Sequence, residues 1–315
     1  MEVAEILTGN SGPVGGAVDA PLVTFAILSY NQERYIEKAL CSALAQEGLS
    51  LEIIVSDDAS SDGTWDRVCA LTAKYSGPHH LVLNRNEANL GIGGHIRKIG
   101  SLASGEIIVL AGGDDMSKPE RTRELVRVFL ASPETMAVFS DCVKSTEDDQ
   151  ILGIRKTWVG RNPVPLDDLV AGGGGVGLGA TYAYRRRCFF WPEGFPEWLA
   201  SGDRILPLRA GLLGVVQYLP LPLVVYRVTA QSTSRRLQSS RLTAKFRFDH
   251  LEVVKQHLEL AYRERNLSSS QHNSLVNQLS AMIRRARRMH RYDALRGIPA
   301  LGNVVARLYY RLVLS

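Results

Sequence analysis

Three short clusters of oxygen-bearing side chains carry the chemistry this chain can offer: Ser29-Tyr30-Asn31, Asp57-Asp58 and Asp114-Asp115. Each directly follows an apolar run. Asp114 and Asp115 come after Ile107 to Ala111 and two glycines, Gly112 and Gly113, which allow a sharp turn and the close approach of a ligand. Two adjacent like charges are unfavourable unless a cation or several donors neutralise them. Mg²⁺ and Mn²⁺ suit such a place, because one or two carboxylates plus substrate phosphates hold them and they retain some waters. Taken alone, the pair reads equally well as a solvated turn ahead of a helix that begins near Pro119. Asp57-Asp58 adds acceptors for the edge of a nucleobase, and Tyr30 adds an aromatic face. An aromatic, a base-reading acid and a metal-binding carboxylate together describe a nucleotide-diphosphate site, although each cluster alone is ordinary turn chemistry.

The elements that must position these clusters are legible as alternating patterns. Leu22 to Leu28, Leu51 to Ser56, Leu81 to Asn84 and Ile107 to Ala111 read as strands. Between them lie helical patterns at about Glu33 to Gln46, about Thr64 to Lys74, and after Asn89-Leu90-Gly91-Ile92-Gly93-Gly94 as far as Ser104. Strands alternating with helices indicate right-handed βαβ units and a mostly parallel sheet. All three clusters then fall at strand carboxyl ends, the edge where open α/β sheets bind ligands. A dinucleotide-binding glycine fingerprint belongs after the first strand. The only candidate, Gly91-Ile92-Gly93-Gly94-His95-Ile96, lies after the third and has Ile96 in the last glycine's place, so that class is rejected.

Further on, Pro119 to Leu130 reads as a helix and Ala137 to Ser140 as a strand followed by Asp141. A hairpin and a short helix near Pro165 are expected over residues 142–168. The glycine run Gly172 to Gly175 reads as a mobile loop, and Ala180 to Tyr184 as a strand. The run Arg185-Arg186-Arg187 reads as a solvated face in preference to a phosphate contact. Trp191, Phe195 and Trp198 form an aromatic loop, and a helix opens at Asp203, which suits an N-cap. Leu212 to Tyr226, broken by Gln217, Pro220 and Pro222, reads as two core strands.

The chain has 315 residues, 45% hydrophobic and 22% charged, as expected of a globular protein with a large core. No apolar run is long enough for a transmembrane helix. Residues 1–20 lack signal-peptide features and read as a flexible lead-in. Four scattered cysteines, Cys41, Cys69, Cys142 and Cys188, point to reduced thiols and a cytoplasmic setting. Charge is unevenly spread. Residues 1–234 hold 21 Lys+Arg against 27 Asp+Glu, whereas residues 235–315 hold 16 against 5. Three basic helical segments are expected there, at Leu242 to Arg265, Ser274 to Arg291 and Leu301 to Val313. Such a tail suits an anionic partner such as a membrane surface or a nucleic acid, packing on the body, or a second copy.

The blocks FAILSYNQERYIEKAL at 25–40, IIVSDDASSDGT at 53–64, NLGIGG at 89–94, SGEIIVLAGGDD at 104–115 and YRVTAQSTS at 226–234 resemble glycosyltransferase family 2. The family consists of inverting enzymes of the GT-A fold. The resemblance implies an α/β fold with a Rossmann-like, mostly parallel mixed sheet flanked by helices. Residues 21–234 would form the catalytic domain and residues 235–315 a basic C-terminal helical region. It implies a nucleotide-diphosphate sugar donor (a UDP-sugar first, with dTDP- and GDP-sugars as alternatives) and a divalent metal, Mn²⁺ or Mg²⁺. The acceptor would be a glycan or lipid-linked hydroxyl, with no role for nucleic acid. Carried over by position, Asp58 contacts the base, Asp114 lies near the ribose, Asp115 holds the metal, and Asp203 is the catalytic base. Ser29, Tyr30 and Asn31 line the nucleotide side.

Several positions depart from the family pattern. Gly112 and Gly113 stand where an Asp often opens the acidic motif. Arg97 replaces a frequent Asn and is a candidate diphosphate contact or a solvated helix arginine. Thr229 replaces a frequent His, and Gly202 a Glu. The departures at Gly112, Gly113 and Thr229 favour, as a second reading, a sugar-nucleotide-binding protein that does not transfer. A nucleotidyltransferase is a third, although its glycine-rich basic loop is missing after the first strand. Membrane contact through the tail would be peripheral, on the inner face of the cell membrane.

Overall fold

The computed structural model describes residues 22–171, 176–191, 205–229, 240–264 and 266–296. The lead-in at 1–20, the glycine run at 172–175, Phe195, Trp198, Asp203 and the helix expected at Leu301 to Val313 lie outside the described residues. The chain divides into two compact units, Met1–Thr229 and Ala230–Ser315.

The first unit is built on a nine-stranded mixed sheet of order β3-β2-β1-β4-β8-β6-β9-β5, with β7 added on β6. Its first half is the expected βα succession: β1 (Val23–Ser29), α1 (Ile36–Leu44), β2 (Glu52–Asp57), α2 (Thr64–Thr72), β3 (His80–Arg85), α3 (Gly91–Leu102) and β4 (Ile107–Gly112). β1 pairs in parallel with both β2 and β4, and β2 with β3. β1 and β2 are covered on both faces, which explains their near-continuous apolar sequence. β3 is an edge strand, half-buried or exposed along its whole length. The core joins Phe25, Ile27, Ile53, Val55, Ile107 and Val109 to Leu40 of α1 and to Leu125 and Phe129 of α4 (Arg121–Ala131). Each such side chain contributes about 2 kcal/mol on burial.

The second half turns antiparallel. β8 (Tyr182–Arg185) runs antiparallel between β4 and β6 (Thr135–Ser145), and β7 (Ile151–Arg155) folds back on β6. The short β5 (Met116–Ser117) pairs with β9 (Val215–Arg227), while α5 (Leu166–Ala171) and α6 (Ile205–Leu213) lie between these strands in sequence. Two expectations are corrected. Asp141 lies within β6, not after it. The proline-broken run is one strand, β9, not two. Its register on β6 jumps from Ser140↔Leu219 to Asp141↔Pro222, leaving Pro220 and Leu221 as a bulge. Pro220 and Pro222 have no N–H to give a ladder, so a bulge absorbs them without ending the strand.

The arginine run is also structural in part. Arg185 donates to the carbonyls of Phe129 (3.4 Å) and Thr135 (2.9 Å), closing the carboxyl end of α4.

The second unit contains α7 (Ser240–Arg263), set two residues earlier than the sequence pattern indicated, and α8 (Ser269–Arg296), which extends beyond its expected segment at both ends. Leu251, Val254 and Leu258 are buried, as are Leu275, Leu279 and Ile283. No helix among the described residues is long and apolar enough to cross a membrane.

Candidate functional site

Parallel register brings the three clusters to one edge. Ser29 is opposite Asp57, and Leu28 is opposite Gly112. The loops after β1 and β2 are then tied together. The Asn31 N–H donates to Ser60 Oγ (2.9 Å), its Oδ1 accepts from the Ser61 N–H (2.8 Å), and the Gln32 N–H donates to Thr64 Oγ1 (2.8 Å). Asn31 and Ala59 hold left-handed backbone, with φ of 51° and 60°. For Ala59 that costs on the order of 1–2 kcal/mol, so the surrounding bonds enforce this loop shape. Ser29 Oγ donates to the Ser56 carbonyl (3.2 Å). Tyr30 by contrast is 47% exposed, with its ring open at the edge.

Asp57 and Asp58 divide their work. Asp57 is fully buried and accepts from the Ser60 N–H (2.9 Å), a turn role. Asp58 Oδ1 accepts from Asn86 Nδ2 (2.8 Å) and from the Leu90 N–H (2.9 Å). Behind it a relay runs from Asn86 Oδ1 to Asn84 Nδ2, which also donates to Ser56 Oγ, and Ser56 Oγ meets His95 Nε2 at 2.8 Å. The backing of Asp58 is thus a buried polar network that ends on α3.

Burial lowers the His95 pKa from its ordinary 6.5, with Asp58 and Asp57 pulling the other way. A depressed histidine pKa means that the unfolded chain binds more protons once pH falls below about 6.5. Stability present above that pH is therefore lost as pH drops towards the folded-state value. His79 shifts in the same direction but is common to parent and variant. For His95→Gln, the difference in melting temperature from the parent should be constant above neutrality. Below about pH 6.5 it should move in the variant's favour. A difference that is flat throughout would show that His95 does not titrate against its burial.

The acidic turn is close-packed. A Cβ on Gly113 would lie 2.3 Å from Gln32 Oε1 and 2.9 Å from Ser29 Cβ, and one on Gly112 would lie 2.8 Å from Asp114 Oδ1. Glycine at both positions lets the turn tuck against the end of β1 and fold its carboxylates back. Asp115 is 6% exposed, and its Oδ1 accepts from the Arg227 N–H (2.8 Å). Burial, and then the charge of Asp114, push the Asp115 carboxyl well above the usual range; the Arg227 N–H, Arg121 and the Arg227 charge only partly oppose this. Asp114 is also raised, chiefly by burial, against Arg227 and a hydrogen bond from Gln32.

Two buried arginines surround this turn. Arg121 donates to Ser117 Oγ (2.8 Å) and to the carbonyls of Leu110 (2.8 Å) and Ala180 (2.7 Å). Burial lowers its pKa to about 9 although Asp115 raises it. Arg227, 1% exposed, donates to the Asp114 carbonyl (3.0 Å) and to the carbonyls of Thr146 (3.2 Å) and Glu147 (3.0 Å). It also pairs with Asp149 and lies 4.8 Å from the centre of the Tyr35 ring. The β6–β7 tip is fastened further by Arg34–Asp148 and Lys38–Asp149 pairs. Arg227 falls in one of the family-like blocks, but the sequence does not signal its buttressing of Asp114 and Asp115. Nor does it signal the Asn86–His95 network. The only trace of either in the sequence is the presence of polar residues in otherwise apolar stretches.

Arg97 is exposed on α3, turned away from the buried His95 by helical spacing. Thr229, 6% exposed, follows the end of β9. Asp141, a further acid in β6, is occupied structurally. Its Oδ1 and Oδ2 lie 2.9 and 2.8 Å from the Tyr218 hydroxyl, and Oδ1 accepts from the Thr157 N–H (2.7 Å). Burial and the Asp141 bond push Tyr218 up to about 12. Tyr218→Phe should therefore lower stability by about 2 kcal/mol, the worth of a hydrogen bond to a charged group, and leave turnover near the parent's. Denaturant unfolding measures the first. A large fall in turnover with intact folding would return Asp141 to the chemistry.

Parts of the sequence, and the fold, resemble those of known proteins. The glycosyl transferase family 2 model matches residues 24–190, more than half of the 315. The succinoglycan biosynthesis protein ExoO of Rhizobium meliloti is 35% identical over 130 residues, covering 39% of this chain and 34% of that protein. The abequosyltransferase RfbV of Salmonella typhimurium is 36% identical over 96 residues, 30% and 28% of the two chains. An uncharacterised protein of Mycobacterium bovis is 28% identical over 209 residues, 64% and 57%. The matches thus span from 28% to 57% of these relatives' lengths. In structure, S. aureus TarS in complex with UDP-GlcNAc superposes with a TM-score of 0.64 at 17% identity, covering 83% of this chain and 72% of that one. The mannosyltransferase PcManGT of Pyrobaculum calidifontis, in complex with GDP-Man and Mn²⁺, gives 0.57 at 19% identity, covering 93% and 81%. At such identities the likeness concerns the fold, which is of the GT-A type. With the strand order, the acidic turn after β4 and the family model in agreement, the chain belongs to glycosyltransferase family 2.

Proposed function

We propose that this chain transfers a sugar from a nucleotide-diphosphate donor to an acceptor hydroxyl in polysaccharide biosynthesis, with inversion at the anomeric carbon. The observation that carries the reading is the alignment of Tyr30, Asp58 and Asp114-Asp115 at the carboxyl ends of β1, β2 and β4. Tyr30 packs on the base and Asp58 accepts from its edge. Ser29 and Asn31 hold the loops beneath it. Asp114 faces the ribose, and Arg97 is the candidate diphosphate contact. Asp203 takes the proton of the attacking hydroxyl.

A divalent cation, Mg²⁺ or Mn²⁺, fits the acidic turn. Burial, and then the charge of Asp114, hold the Asp115 carboxyl high, and a cation beside it would favour the ionised form. No trio of His, Cys, Asp or Glu able to hold a metal occurs among the described residues. The protein's share would therefore be Asp115, backed by Asp114, with phosphates and water completing the set. Such a cation supplies charge neutralisation on the departing diphosphate.

Release of free nucleoside diphosphate from UDP-, GDP- and dTDP-sugars, with Mn²⁺ or Mg²⁺ and with EDTA, tests the reading. Metal-dependent release from one donor class is expected. Thermal stabilisation by a nucleotide sugar without release would favour the non-transferring reading, which rests on Gly112, Gly113 and Thr229. Neither effect with any donor would overturn both.

The basic tail is proposed as a peripheral contact to an anionic membrane or a second copy. Truncation before Arg241 should weaken co-sedimentation with anionic vesicles at low salt. Equal sedimentation would leave packing or dimerisation as its role.

A further inference from the structure

A second surface, in the first unit, has the chemistry of a bilayer contact. β7 pairs with β6 alone among the described strands. Along it and the loop that follows, Leu152, Ile154 and Val159 are 53%, 66% and 88% exposed. Large apolar side chains exposed singly are ordinary; three within eight residues are not.

The segment is held firmly. The Thr157 N–H donates to Asp141 Oδ1 (2.7 Å), and Thr157 Oγ1 donates to the Ser140 carbonyl (2.8 Å). Asn162 exchanges hydrogen bonds with the Tyr218 backbone at 2.8 and 2.9 Å. The Trp158 indole N–H is satisfied locally by the Arg161 carbonyl (2.9 Å). The apolar side chains are thus displayed on fixed backbone.

Charge identifies the occupant. No acidic residue lies between Asp149 and Asp167, whereas Arg155, Lys156 and Arg161 are all exposed in that interval. None of the three has an ion pair among the described residues. Protein-binding patches are depleted in lysine at their apolar centre. Apolar side chains interleaved with Lys and Arg instead suit the headgroup boundary of an anionic bilayer, where the first enter the acyl edge and the second meet lipid phosphates. We propose that β7 and residues 156–161 dock the first unit on an anionic phospholipid surface. The tip of this hairpin bonds Arg227, so the docked element also buttresses the Asp114-Asp115 turn.

Flotation of the full chain with phosphatidylcholine vesicles, with and without phosphatidylglycerol, tests this. Two combined variants are compared with the parent: Arg155→Gln, Lys156→Gln and Arg161→Gln together, and Leu152→Ser, Ile154→Ser and Val159→Ser together. The basic tail is common to all three proteins, so binding through it cancels. A basic residue near an anionic surface contributes about fivefold in partitioning, so the first variant should lose roughly a hundredfold. The second should lose the fraction that resists high salt. All changed side chains are exposed, so melting temperatures should match the parent's. A variant that melts early is replaced by the single changes Ile154→Ser and Lys156→Gln, read by the same partitioning. The proposal is overturned if both variants float like the parent, or if phosphatidylglycerol gives the parent no advantage. It is also overturned if the variants instead split a parent dimer in solution, which would make the patch a self-interface.

Discussion

Asp115→Asn should abolish metal-dependent transfer while leaving the fold intact. The change removes one charge from the acidic turn and nearly preserves its shape, and the amide oxygen still accepts from the Arg227 N–H now bonded to Asp115. A cation on a departing diphosphate is worth several kcal/mol; about 4 kcal/mol corresponds to roughly a thousandfold in turnover. Nucleotide binding should lose its dependence on Mn²⁺ or Mg²⁺ in titration calorimetry. Stability should move the other way. Burial and the neighbouring Asp114 disfavour the ionised Asp115 carboxylate. Without metal, a neutral Asn relieves that cost, so the variant should melt at or above the parent in EDTA. Unchanged metal-dependent affinity would remove Asp115 from the metal site. A marked fall in melting temperature in EDTA would show that Asp115 acts mainly as a structural acceptor for β9.

Asp203→Asn should cut turnover without touching the donor. A base that takes its proton only as the acceptor attacks contributes to the chemical step and not to ground-state binding. General-base catalysis typically supplies 10²–10⁴-fold, roughly 3–5 kcal/mol. Asn keeps the size and caps a helix about as well as Asp, so folding should hold. The expected result is donor affinity and melting temperature near the parent's with turnover down at least roughly a hundredfold. Turnover within a few-fold of the parent would exclude Asp203. Asp141, the next acid by position, is then a poor substitute, because Tyr218 and Thr157 already engage its carboxylate.

The sequence by itself determined the first half of the sheet. β1, β2 and β4 are contiguous apolar runs because both their faces are covered, and burial of a continuous segment is what a local pattern reports. Parallel pairing then had to bring the groups after those strands to one edge, so Tyr30, Asp58 and the Asp114-Asp115 turn were legible from the sequence as neighbours along that edge. The tertiary structure alone decided what surrounds that site. Arg227 reaches Asp115 across 112 positions of sequence, and nothing near Tyr226-Arg227 marks the carbonyls and carboxylates it meets. The relay from His95 to Asp58 joins α3, β2 and the end of β3 in the same non-local way. β9 was misread because proline is a strong local break signal, while a bulge against β6 is a property of the pair of strands. Apolar period and turn residues act within a few positions of chain. Compensation of buried charge acts through space, and only the folded sheet fixes which charges become neighbours.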